Sequence, residues 1–159
     1  MNTRDLARLI SMTLALLLAL SSWVSHADDV SQHKIADGLS VYIGVLPAEI
    51  LLGHPKGHIE REMHGGAPAG TNRYHVVVAL FDVANGKRVS DAQVKIGGAG
   101  IGMTPSHRKA EPMLINNTAT YGAYVTLPGP GPFRIWVTIK RAGRSKPAEA
   151  VFDYPFARS

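Results

Sequence analysis

Between Gly53 and Gly66 the chain gathers three histidines, two glutamates and a methionine in one short stretch, Gly53-His54-Pro55-Lys56-Gly57-His58-Ile59-Glu60-Arg61-Glu62-Met63-His64-Gly65-Gly66. If His58 to His64 is extended, side chains two apart share a face. His58, Glu60, Glu62 and His64 then project together, and Ile59, Arg61 and Met63 project the other way. Two imidazoles and two carboxylates along one strand suit a divalent transition metal, and the thioether of Met63 beside His64 suits Cu(I). The spacing matches no closed zinc signature, and Pro55 and Gly57 spoil a helical pairing of His54 with His58. A solvated, polar loop edge is the other reading of the same residues.

Two further methionines, Met103 and Met113, lie beside Gly/Pro-rich or histidine-containing segments. Each is open to two readings, a thioether ligand or an adaptable core filler. His75 sits inside a strongly apolar run next to Tyr74, where it reads as a structural histidine or as a further ligand. His107 lies in Ser106-His107-Arg108-Lys109, whose positive charge disfavours a cation and predicts a solvated loop. No Gly-x-Ser-x-Gly elbow, cysteine nucleophile, His-Glu-x-x-His helix or phosphate-binding glycine loop is present. The expectation is therefore a protein that binds and does not catalyse.

The positioning elements follow from the rest of the chain. Arg4 and Arg8, an apolar stretch from Leu9 to Leu20, and Ser25-His26-Ala27 read as a signal peptide cut after residue 27. Its apolar part is shorter than the roughly 20 residues a bilayer span requires. Residues 28–159 then form one exported domain of ordinary size, in the periplasm. With no cysteines, no disulfide staples it and no thiolate holds a metal. The net charge of +5 is scattered over many segments, which argues against a nucleic-acid partner.

Leu39 to Leu46 reads as a first strand ending at Pro47, and Ala48 to Gly70 as loop with room for one short strand. Asn72 to Val83 is nearly continuous in apolar residues and predicts a strand at a sheet centre. Asn85-Gly86 predicts a hairpin whose return strand is Val89 to Ile96. Glycines 97, 98, 100 and 102 read as a connection, followed by a polar loop and a strand over Pro112 to Ile115. Asn116-Asn117 is the next turn. Thr118 to Leu127, Phe133 to Lys140 and Ala148 to Tyr154 complete about seven strands, with Phe133, Ile135, Val137 and Ile139 facing inward. The fold class is an all-β, antiparallel, immunoglobulin-like sandwich.

The stretch Thr118 to Arg141, with Tyr121-Gly122, Leu127 and Gly129-Pro130-Gly131-Pro132-Phe133, resembles the hairpin of bacterial periplasmic iron-transport accessory proteins. Members of that family are dimeric immunoglobulin-like sandwiches that bind copper through histidine, methionine and acidic side chains. His58-Ile59-Glu60 resembles the His-x-Glu that opens their metal-binding strand. The resemblance implies His58 and Glu60 as ligands, Met113 of Glu111-Pro112-Met113 as a methionine ligand, and a homodimer. That family carries a histidine immediately before Tyr-Gly, where this chain has Thr120. The same pattern also resembles the YtkA-like and FixH-like sandwich modules of copper and cytochrome-oxidase assembly. Two functions follow as expectations. One is a transition-metal accessory, with copper before iron, serving a membrane transporter or assembly protein through His58, Glu60, Met63, His64 and Met113. The other is a metal-free interaction module that uses a strand edge or the Gly/Pro loops.

Overall fold

A computed structural model of the chain describes residues 32–53, 65–129 and 131–155. Residues 1–27, read as a signal peptide, lie outside them, as does His58–His64, whose extended reading set the candidate ligands. Strands β1 (His33–Ala36), β2 (Leu39–Pro47), β3 (Arg73–Asp82), β7 (Thr118–Thr126) and β6 (Glu111–Ile115) make a five-stranded sheet in that order. Strands β5 (Ser106–Lys109), β4 (Gln93–Gly100), β8 (Phe133–Lys140) and β9 (Ala148–Tyr154) make a four-stranded one. Every pairing is antiparallel, and a short helix α1 (Ala48–Leu52) follows β2. The chain has the predicted all-β sandwich.

Period-two alternation builds the core. Val41, Ile43, Val76, Val78, Leu80 and Val125 from one sheet meet Val94, Ile96, Phe133, Ile135, Val137 and Phe152 from the other, all buried. β3 is the middle strand of its sheet, which explains its unbroken apolar run: its outward residues are also largely covered. Each large apolar side chain buried this way contributes about 1.5–3 kcal/mol against the conformational entropy of ordering the chain.

Turn chemistry decides the hairpins. Asn116 and Asn117 take positive φ of 48° and 58° and join β6 to β7 as anticipated. Asp37-Gly38, with φ of 46° and 73°, makes the same kind of turn between β1 and β2. That Asp-Gly pair is the signal that marks β1, a strand absent from the sequence reading. It is one reason the described residues form nine strands in place of about seven.

The Asn85-Gly86 turn forms, but it does not make the hairpin predicted for it. Asp82 N–H donates to Lys87 O at 2.8 Å and Val89 N–H to Leu80 O at 2.9 Å, around one isolated bridge between Phe81 and Arg88. The chain then leaves the sheet, and Gln93–Gly100 pairs with β8 and β5 of the other one. Tyr121 holds this crossover. Its hydroxyl accepts from Ala92 N–H at 2.9 Å and donates to Val89 O at 3.3 Å. Tyr121→Phe strands the Ala92 amide and is expected to cost about 1–3 kcal/mol by chemical denaturation.

Two other departures have a shared cause. Glycines 97, 98 and 100 belong to β4 and not to a connection, and Ser106–Lys109 is the strand beside it and not a loop. A Cβ on Gly97 would sit 2.8 Å from the His107 ring, and one on Gly98 would sit 2.5 Å from Leu127 Cδ2. These glycines make room for neighbours, a use of glycine that cannot be told from turn chemistry by composition.

Burial raises the pKa of Tyr121, Tyr124 and Tyr154 above the usual phenol value of 10.0. A raised acid pKa means the folded chain keeps protons that the unfolded chain has released. Their contribution is therefore complete below pH 10 and is lost as pH rises above it. Denaturation midpoints are expected to fall as pH climbs past 10, and Tyr154→Phe to flatten that fall.

Candidate metal centre

Tyr121, Ala123 and Val125 of β7 point into the core, so Thr120, Gly122 and Tyr124 point to the outer face of the five-stranded sheet. On that face β6 pairs Met113 with Thr120 and Glu111 with Gly122. Met113 is 9% exposed and Thr120 7%, both well covered for residues on an outward face. The Thr120 hydroxyl donates to Met113 O at 3.3 Å. Met113 and Glu111 are two residues apart on one strand, about 7 Å along it. Their thioether and carboxylate therefore share a face. Glu111 is not singled out in the sequence reading, although period-two alternation from Met113 points to it.

His75 occupies the same face one strand away, opposite Tyr124, with ring centroids 4.9 Å apart and tilted by 35°. At 2% exposure it is a buried histidine packed on an aromatic ring. Tyr124 stands four residues beyond Thr120 on β7, about 13 Å along the strand, so His75 and Met113 do not share a coordination sphere. Met103 is 57% exposed at the turn after β4, where its N–H donates to Gly100 O at 3.0 Å. His107 lies on exposed β5 with its ring over Gly97.

A cleft of about 380 Å³ runs beside Glu111, with Gly122 and Tyr124 on its floor and Gly66, Pro68, Arg73, Arg108 and Lys109 around it. Gly66 and Pro68 continue the chain directly from the His58–His64 stretch. Arg73 donates to Thr126 Oγ1 at 2.6 Å, which anchors one of the cationic walls. Burial holds the Tyr124 phenol protonated to higher pH, so it offers no anionic ligand near neutrality. His58, Glu60, Met63 and His64 lie outside the described residues. Among the described residues, no three histidine or carboxylate side chains gather in metal-holding geometry. A metal at Met113 would thus take one thioether and one carboxylate from β6, and its remaining ligands from elsewhere in the chain.

The architecture defines a class, the two-layer antiparallel sandwich of a little over a hundred residues. No family pattern and no curated protein sequence matches the chain. Solved structures do. The chain is similar to a copper-bound variant of FetP from uropathogenic Escherichia coli strain F11, with 14% identity, a TM-score of 0.57, and coverage of 80% of this chain and 95% of that one. FetP as isolated from recombinant expression in the periplasm gives 15% identity and a TM-score of 0.58, over 79% and 92% of the two chains. Copper-reconstituted P19 from Campylobacter jejuni gives 11% and 0.58, over 80% and 94%. At these identities the likeness is one of fold, and the fold is the one the Thr118–Arg141 resemblance implied.

Proposed function

We propose that this chain is an exported periplasmic protein that binds copper, and secondarily iron, as an accessory to a membrane transport or assembly system. The observation that carries the reading is the buried thioether of Met113. It stands on an outer sheet face against Thr120 and two residues from Glu111, and Glu111 lines a cleft together with Gly66 and Pro68, which follow His58–His64 in the chain. A soft sulfur with imidazoles delivered by the preceding segment is a donor set for Cu(I). That FetP and P19, which share the fold, have been solved with copper bound supports the same reading. His58, Glu60, Met63 and His64 supply the other ligands, the protein acts by holding and passing the ion without catalysis, and a homodimer is its working form.

Among the described residues, no helix is long and apolar enough to cross a membrane.

The test is titration of the purified chain with Cu(I), Cu(II) and Fe(II) against a competing chelator. Binding is expected at one equivalent per chain, with preference for copper. His58→Ala/His64→Ala should abolish it, and Met113→Leu, which conserves volume, should weaken Cu(I) more than Cu(II). Absence of binding tighter than about micromolar, some 8 kcal/mol, would overturn the reading in favour of a metal-free interaction module.

A further inference from the structure

The outer face of the four-stranded sheet carries a second feature. Register sets Lys109 of β5 directly opposite Lys95 of β4, Lys95 opposite Thr138 of β8, and Gln93 opposite Lys140. Lys95 and Lys140 are thus diagonal neighbours across β4 and β8. The three lysines line a concavity of about 260 Å³ together with Gln93, Val94, Thr138 and Pro147. None of the three lysines makes an ion pair among the described residues. Glu149 of β9 stands on that face beyond Thr138, and Glu111 lines the other cleft together with Lys109.

Like charges directly opposite on paired strands are destabilising. Lysine on an edge strand has an ordinary use, blunting edge-to-edge association, and β5 is an edge. That accounts for Lys109 but not for Lys95 and Lys140, which stand on the two inner strands. A hollow lined by three lysines, a glutamine and a threonine is complementary in charge to one multiply charged oxyanion. Ammonium groups engage such an anion as point charges, and the neutral side chains add donors.

We infer that Lys95, Lys109 and Lys140 form an oxyanion-binding pocket, with Gln93 and Thr138 as neutral donors, suited to a phosphate group either free or on a lipid headgroup. The site lies on the sheet opposite the one that bears Met113 and shares only Lys109 with the cleft beside Glu111, so Lys95 and Lys140 carry it whether or not copper binds there.

The test follows backbone amide shifts of the full chain during titration with inorganic phosphate, alongside co-sedimentation with phosphatidylcholine vesicles with and without phosphatidylglycerol. Saturable shifts centred on Lys95 and Thr138 are expected, with half-saturation on the order of millimolar. Lys95→Gln/Lys109→Gln/Lys140→Gln should weaken binding at least about tenfold, whereas Lys34→Gln/Lys87→Gln should leave it unchanged. Phosphate binding without vesicle binding assigns a soluble anion, and lysine-dependent vesicle binding assigns a lipid. Without any anion, Lys95→Gln alone should raise Tm by about 1–4 °C through relief of repulsion. Neither ligand binding, or binding that the triple variant retains, overturns the pocket.

Discussion

Thr120→His should tighten Cu(I) binding by on the order of 10- to 100-fold, an increment of about 1.4–2.8 kcal/mol. Thr120 is Met113's direct cross-strand partner on the outer face, so the two Cα atoms are about 4.5–5.5 Å apart and their side chains leave the sheet side by side. A hydroxyl is a hard, neutral donor that competes poorly for Cu(I), whereas an imidazole at that position is a strong one. The family that Thr118–Arg141 resembles carries a histidine immediately before Tyr-Gly, and the register explains what an imidazole would gain at that position. Because Thr120 is buried, the larger ring also costs about 1–3 kcal/mol of fold stability. Thr120→Gln imposes a similar bulk with a poor ligand. Chelator competition should show tightening with His alone, and equal affinities for the two variants would remove the metal from the Met113 end of the sheet.

Gly98→Val should destabilise the domain by about 2–4 kcal/mol, read as a lower denaturant midpoint at unchanged m-value. Gly98 faces inward on β4, and the Cβ it lacks would stand 2.5 Å from Leu127 Cδ2 and 3.7 Å from Val125 Cγ2. Leu127 is wholly buried, so it has no open space into which to retreat. Leu127→Ala alone should cost about 2–5 kcal/mol through the cavity it leaves. Combined, the two changes should cost clearly less than their sum, since each supplies the volume the other lacks. Gly44 on β2 is the contrast: a Cβ there meets nothing within 4 Å, and Gly44→Ala should change stability little. Strict additivity at Gly98 and Leu127 would show that their close approach is not what selects glycine.

The chain's local grammar was readable without coordinates. Alternation marked Phe133–Lys140 and its inward residues, the apolar run marked β3 as a central strand, and paired asparagines marked the β6–β7 turn. Each of these depends on neighbours along the chain, where φ preferences and period-two burial act directly. Asp37-Gly38 carried the same kind of information about β1.

Which strands meet was decided elsewhere. Asn85-Gly86 makes its turn whichever sheet the next strand joins, and the crossover of β4 depends on Tyr121, far along the chain, reaching residues 89 and 92. Glycines 97 and 98 read as a linker because the His107 ring and the Leu127 side chain that need their space are distant in sequence. The site divides the same way. Methionine and histidine content suggested metal chemistry, and a family resemblance singled out Met113. Only register places Met113 against Thr120 with Glu111 on the same face, keeps His75 about 13 Å away, and brings Lys95, Lys109 and Lys140 together across three strands. Residue types and turns are fixed by contacts within a few positions, whereas a pocket is assembled by pairings between strands that the chain separates, and those form only when the two sheets close on a common core.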